Sequence, residues 1–211
     1  MKKIMFNDKY GLTQAVLEGR KTMTRRIVPI DTYNMTDWKE VEEGNYMAVS
    51  DVAGNYFDIR FCGNYGIGDV LAIAQAYKVL DYTFHGYATN PSRSCGIRKE
   101  CAEKHKGWNN KMFVEAIYMP HRIKITDIKV EQLQDISDED CMKEGIYVSD
   151  TFTKYSIHNG YSPQCTNDPK EKKWWFSSPK EAFAALIDKV SGKGTWKRNP
   201  WCFCYEFELM D

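Results

Sequence analysis

The chain lacks a net charge and a long apolar run. Its 29 Lys and Arg residues balance 29 Asp and Glu residues over 211 positions, so no whole-molecule field draws it onto nucleic acid or a membrane. Charged residues at Asp8 and Lys9 interrupt the N-terminal stretch before any long apolar run. We therefore expect neither a signal peptide nor a membrane span, and a cytoplasmic protein. Any contact with a polyanion must be local.

The sequence also lacks a paired cysteine framework. Its seven cysteines are an odd number, spread from Cys62 to Cys204, and in a reducing compartment they are expected to be core residues and free thiols. Cys95, Cys101 and His105 are metal-capable, but their spacing is not that of a zinc knuckle. We expect no metal and no cofactor.

Alternation of apolar and polar residues predicts several strands, and capping residues predict about three short helices. Strands are expected over residues 22–28, 56–61, 70–79, 121–130 and 201–209. Helices are expected over residues 11–18, from Ser137 to near Gly145, and from Ser178 and Pro179 onward. These elements do not alternate regularly, so the pattern favours an α+β fold, a mixed β-barrel decorated with the helices and two long loop insertions. The length suits a single domain over residues 1–211, with insertions near residues 30–56, 81–120 and 147–178, of which the last two are the long ones.

A basic segment, Gly-Arg-Lys-Thr-Met-Thr-Arg-Arg at residues 19–26, follows the first predicted helix. Clustered positive charges, together with burial, would lower the pKa of Lys21 and free its amine as a base or nucleophile. Thr24 would offer a hydroxyl, and Glu144 would shuttle a proton or hold the lysine. Lys21 and Thr24 are three residues apart, so in a regular strand their side chains would point to opposite faces. Both face one pocket only if Lys21 lies in the turn after Gly19 or a bulge intervenes.

Two plainer interpretations stay open for these residues. The basic segment is also compatible with a solvent-exposed strand in which the threonines are present because β-branched residues favour strands. Glu144, one residue before the glycine that ends its helix, is also compatible with an ion pair to a surface lysine.

Three stretches together resemble the ASCH group of the PUA-like superfamily, in its phage or prophage form. They are residues 15–26, residues 123–146 with Lys-Glu-Gly-Ile at their end, and residues 183–207 with Gly-Lys-Gly-Thr-Trp, Asn-Pro-Trp and Tyr-Glu-Phe. Relatives of this type carry an Arg-Glu pair after a Gly-Asp turn, where this chain has Ala74 and Gln75. The resemblance implies a PUA-like pseudo-barrel with a cleft between the first helix-strand unit and the helix after the central strand.

The resemblance also implies a choice of functions. The first is an RNA- or nucleotide-binding domain, whose cleft residues would be Arg20, Thr22, Arg25, Arg26, Gln75 and Tyr77. The second is a hydrolase of an acetylated cytidine-like nucleoside, because one branch carries its catalytic Lys, Thr and Glu at positions that match Lys21, Thr24 and Glu144. A ribonuclease and a phage structural or accessory protein remain further alternatives. The expected partner is RNA or a nucleoside, not a membrane, and the oligomeric state stays open.

Overall fold

The computed structural model describes residues 1–28, 35–42, 45–50, 56–58, 64–80, 99–149, 154–157 and 175–210. The strands are β1 (Lys2–Ile4), β2 (Met23–Ile27), β3 (Met35–Glu42), β4 (Asn45–Ser50), β5 (Tyr56–Asp58), β6 (Val70–Ile73), β7 (Arg122–Gln132), β8 (Tyr147–Ser149), β9 (Lys154–Ser156), β10 (Trp175–Phe176) and β11 (Trp201–Met210). The α-helices are α1 (Leu12–Leu17), α2 (Lys99–Lys104), α3 (Asp138–Lys143), α4 (Pro179–Val190) and α5 (Thr195–Arg198). Short 3-10 helices connect several of them.

Capping residues set the starts of the two helices nearest the candidate site. The Ser137 hydroxyl accepts a hydrogen bond from the Asp140 amide at 3.0 Å, and α3 ends before Gly145, whose φ of 96° is left-handed. The Ser178 hydroxyl accepts from the Glu181 amide at 3.2 Å, and proline occupies the first position of α4. Both predicted helix starts are confirmed.

The chain divides into two compact units. Unit 1 comprises Met1–Phe6, Val70–Lys124 and Leu209–Asp211. In it β1 runs parallel to β6, and β6 pairs antiparallel with the first residues of β7, Leu71 opposite Ile123. One hydrophobic cluster forms its core; the buried members are Ala72, Ala74, Tyr77, Ala102, Val114 and Met119.

Unit 2 comprises Asn7–Asp69 and Ile125–Glu208. In its main sheet β11 lies between β7 and β2. β11 pairs antiparallel with β2 in an unbroken register, from Cys202 opposite Ile27 to Glu206 opposite Met23. Two further antiparallel sheets have the strand orders β3-β4-β5 and β10-β9-β8. Helix α3 contacts β2 and α4, and this packing positions the site described below.

The fold is mixed α+β, as the sequence predicts. The described strands form open sheets rather than a closed barrel. The β3-β4 hairpin and the β8-β9-β10 sheet fall in two of the predicted insertions, parts of which lie outside the described residues. No described helix has the length and apolar content needed to cross a membrane.

Two local predictions need correction. The strand predicted over residues 70–79 ends at Ile73, because the chain turns into a 3-10 helix that buries Tyr77, whose hydroxyl accepts from the Glu115 amide at 2.9 Å. Helices α2 and α5 were not predicted. A side chain of α4 holds the start of helix α5, because the Asp188 carboxylate accepts hydrogen bonds from the Trp196 amide at 2.8 Å and from the Gly194 amide at 3.0 Å.

Candidate functional site: an ion cluster on one face of unit 2

Lys21 lies in the turn between α1 and β2. Gly19 adopts a left-handed φ of 71°, which lets the chain reverse, and the Lys21 amide donates to the Ala15 carbonyl at 2.9 Å. Gly145 closes the other side, since a Cβ added there would lie 3.3 Å from the Lys21 Cβ. Lys21 therefore lies in the turn after Gly19 rather than beside a strand bulge, which was the other arrangement that the sequence left open.

The Lys21 ammonium is buried and bound by three acceptors. Only 2% of the residue is exposed, and Nζ donates to the Met23 carbonyl at 2.7 Å, the Glu144 carbonyl at 2.8 Å and the Glu144 Oε2 at 2.6 Å. Three acceptors match the three protons of an ammonium group, so this geometry favours the charged form. Burial acts in the opposite direction and lowers the pKa of Lys21, as expected from the sequence.

Arg25 extends the cluster along β2. Its side chain is 1% exposed, and the guanidinium donates to Glu144 Oε1 at 3.1 Å, to Asp140 Oδ2 at 3.1 Å and to Glu131 Oε1. The ring of Phe183 from α4 lies below it, with the guanidinium carbon 5.8 Å from the ring centre. Nη1 and Nη2 of Arg25 thus contact three carboxylates inside the protein, while its buried Nε has no hydrogen-bond partner among the described residues.

Lys129 forms the exposed end of the cluster. Its side chain is 39% exposed, and Nζ donates to Asp140 Oδ2 at 2.6 Å and lies 3.3 Å from Glu131 Oε2. Burial opposes both charges of the Lys129–Asp140 pair and is the largest single effect. Their hydrogen bond and the attraction of the neighbouring opposite charges together outweigh it, which raises the pKa of Lys129 and lowers that of Asp140. Both groups stay charged at neutral pH.

The charges of this ion cluster cancel. It contains three cations and three carboxylates, and its members are Lys21, Arg25, Lys129, Glu131, Asp140 and Glu144. A site with no net charge suits a neutral hydrogen-bonding ligand better than a phosphate.

Thr24 faces away from the ion cluster. Arg25 Nη1 donates to the Met23 sulfur at 3.1 Å, so residues 23 and 25 share the cluster face. The register of β2 with β11 is unbroken, and strand alternation therefore directs Thr24 to the opposite face. There it lies across from Tyr205, whose ring meets that of Tyr65 edge to face at 5.3 Å. Burial raises the pKa of Tyr205 to about 12.

The structure spreads the remaining predicted binding residues. Arg20 forms a surface ion pair with Glu18 at 2.7 Å, the Thr22 amide donates to the Lys143 carbonyl, and Arg26 is half-buried opposite Phe203. Gln75 and Tyr77 belong to unit 1. The Gln75 Oε1 is buried without a hydrogen bond.

Sequence reasoning missed three members of the cluster. Lys129 and Glu131 are two residues apart on β7 and therefore share a face, and Asp140 precedes Glu144 by one helical turn on the same side of α3. A search for charged residues at these spacings would have found them.

Three cysteines line the unit 2 core near the cluster. Cys141, Cys202 and Cys204 are buried free thiols, and Cys204 pairs with Arg25 in the β2–β11 register. Burial raises the pKa of Cys141 and Cys202 to about 12, which makes them unreactive core residues. Within the described residues no group of His, Cys, Asp or Glu is arranged to hold a metal ion; Cys95 lies outside them.

Comparisons with protein-family models, curated proteins and solved structures find no match to this chain.

Proposed function

We propose that the chain is a PUA-like protein of the ASCH type that binds a nucleoside, free or within RNA, at the exposed end of the ion cluster. The observation that supports this proposal is that all three stretches of the resemblance meet at the ion cluster. Residues 15–26 contribute Lys21 and Arg25, residues 123–146 contribute the carboxylates, and residues 183–207 contribute Phe183 and Cys204.

The chemistry of the exposed end favours a nucleobase over a phosphate. Lys129 offers donors and Glu131, whose side chain is 19% exposed, offers acceptors, a mixture that matches the polar edge of a base. Arg25 is bound by three carboxylates and is not available to a phosphate. The buried Lys21–Glu144 and Arg25 contacts hold the carboxylates of the exposed end in place, as the inner layer of a preorganised site.

Calorimetric titration with cytidine, N-acetylcytidine and cytidine monophosphate tests the proposal. Lys129→Gln should weaken nucleoside binding about tenfold or more, because it removes a charged hydrogen-bond donor. The matched control is Lys143→Gln, which removes a similarly exposed lysine paired with Glu206 at 2.9 Å on the same face. Equal loss in both variants, or no binding of any nucleoside at millimolar concentration, would contradict the proposal.

A second candidate function is hydrolysis of the acetyl amide of the bound nucleoside. It is favoured by the contact between Lys21 and Glu144, residues 123 positions apart that the resemblance pairs as catalytic groups. This candidate requires the acetyl group and a water molecule to reach the buried carboxylate of Glu144. Water would then add to the acyl carbon as Glu144 takes its proton. The carbon–nitrogen bond would then break, leaving acetate, and the amine would regain the proton.

The position of Thr24 gives this candidate a discriminating test. Since Thr24 faces the opposite side of β2, water rather than the Thr24 hydroxyl is the nucleophile in this arrangement. Release of cytidine and acetate, followed by NMR, should vanish in Glu144→Gln and persist in Thr24→Val. Loss of turnover in Thr24→Val with an unchanged circular dichroism spectrum would refute this version of the chemistry. No turnover in the wild type would remove the candidate altogether.

A further inference from the structure

The two units carry opposite charge, although the whole chain is neutral. Unit 1 contains eleven Lys and Arg against five Asp and Glu, a formal charge of +6. Unit 2 holds the remaining eighteen basic and twenty-four acidic residues, a formal charge of −6. The equal numbers of basic and acidic residues in the whole chain therefore hide a unit that is basic by itself.

Part of this basic charge lies on three short elements that contact one another. They are the 3-10 helix Tyr77–Val79, helix α2 and the 3-10 helix Lys106–Trp108. They bring the exposed residues Lys78, Lys104 and Lys106 to one region.

Apolar and aromatic side chains are exposed among these lysines. Phe113 follows on the adjoining 3-10 helix with 47% of its surface exposed, and the Lys106 ammonium lies 5.9 Å from the centre of its ring. Val79 is 61% exposed and Met112 is 58% exposed. Exposed apolar side chains that are grouped among polar residues mark interaction sites on proteins.

We propose that this basic aromatic surface, defined by Lys78, Lys104, Lys106, Met112 and Phe113, binds single-stranded nucleic acid. The lysines would contact phosphates, and the open face of Phe113 would stack a base. Charge complementarity selects a polyanion, and the exposed ring beside a lysine selects one that carries bases. Glu103 and Glu115 are also exposed close by in the chain, so the surface is not uniformly basic.

This inference does not depend on the ion cluster, because the residues belong to unit 1 and make no use of Lys21 or Glu144.

Fluorescence anisotropy with a labelled uridine oligonucleotide, over a salt series from about 50 to 200 mM, tests the proposal. The charge reversal Lys104→Glu/Lys106→Glu should weaken binding at least tenfold. It should also reduce the steepness of the slope of log K against log salt concentration by about 1.4, the value expected for two lost phosphate contacts on a single strand. The control is Lys193→Glu/Lys197→Glu, two exposed lysines of unit 2, which should bind like the wild type.

Phe113→Ala separates stacking from simple charge attraction. It should weaken binding about fivefold or more while leaving the salt dependence unchanged, since it removes a base contact and no charge. Because Phe113 is half exposed, this variant should keep the circular dichroism spectrum of the wild type. Cytidine titration of the same variants reports on the ion cluster independently and should not change.

Several outcomes would overturn the proposal. These are absence of oligonucleotide binding at the lowest salt, equal weakening by the unit 2 control, and binding to anionic lipid vesicles without binding to the oligonucleotide. Heparin binding as tight as RNA, with no effect of Phe113→Ala, would show a general polyanion surface and would equally overturn it.

Discussion

Replacing Lys21 with methionine removes a buried cation of the ion cluster while keeping much of the side-chain volume. Glu144 loses its 2.6 Å hydrogen bond and keeps Arg25 at 3.1 Å. The carbonyls of Met23 and Glu144 lose their lysine donor as well. The variant therefore leaves a buried carboxylate undercompensated and two carbonyls without the bond that they had.

The expected cost follows from the burial of this pair. Removing one partner of a buried ion pair costs about 3–5 kcal/mol, whereas an exposed pair is worth about 0–1 kcal/mol. Lys143→Met breaks the half-exposed pair with Glu206 and provides the matched control. For a chain of this length each kcal/mol lowers Tm by about 2–4 °C. We therefore expect Lys21→Met to lower Tm by roughly 6–20 °C, and the control by only a few degrees.

Urea unfolding followed by circular dichroism measures the free energy of unfolding, and thermal unfolding measures the Tm. Hydrogen exchange of β2 and α3 amides assigns the loss of stability to unit 2. The double variant Lys21→Met/Glu144→Gln should be more stable than Lys21→Met, because the orphaned charge is gone. The coupling energy should reach about 1–3 kcal/mol. A cost below about 1 kcal/mol for Lys21→Met, equal to that of the control, would refute this account of the cluster.

The pH dependence of the same variant gives a second readout. The pKa of Lys21 is lowered in the folded protein from 10.5, so between the two pKa values the unfolded chain binds more protons than the native protein. The free energy of unfolding of the wild type should then rise with pH relative to Lys21→Met, by about 1.4 kcal/mol per pH unit, in the window just below 10.5. Below the lowered pKa the difference should be constant. A difference that does not change with pH would show that Lys21 titrates normally.

Three further predictions concern the packing around the site. Burial raises the pKa of Cys141 and of Cys202 from 9.0 to about 12, so the free energy of unfolding should fall as pH rises through that window. In urea unfolding, Cys141→Ala/Cys202→Ala should make this fall less steep by the equivalent of about two protons. An unchanged dependence on pH would contradict this. Phe183→Ala should cost about 3–5 kcal/mol in the same assay because the ring is buried beneath Arg25, and a cost below that of an ordinary surface substitution would be inconsistent with its packing. Ser178→Ala should cost about 1 kcal/mol through loss of the α4 cap, whereas Ser178→Gly should cost only a few tenths, and the reverse order would argue against capping.

Local patterns carried most of the information about the elements. The alternation at residues 121–130 and 201–209 and the caps at Ser137 and Ser178 predict β7, β11, α3 and α4, because each depends on a few neighbouring residues. The run over residues 70–79 misled, since burial of Tyr77 in the unit 1 core ended the strand early. Helix α5 was missed for a related reason, because Asp188 of another helix holds its first turn.

The sequence by itself predicted that the first helix ends at Gly19 and that a basic segment containing Lys21 follows it. Those properties depend on residues next to one another in the chain. Only the tertiary structure decided that Arg25 faces three carboxylates, that Lys129 forms the exposed end, and that Thr24 faces away. The partners come from β7 and α3, more than 100 residues later, and strand register and helix packing set which side chains meet. Tertiary contacts likewise separated a neutral chain into a basic and an acidic unit, a division that the overall composition conceals.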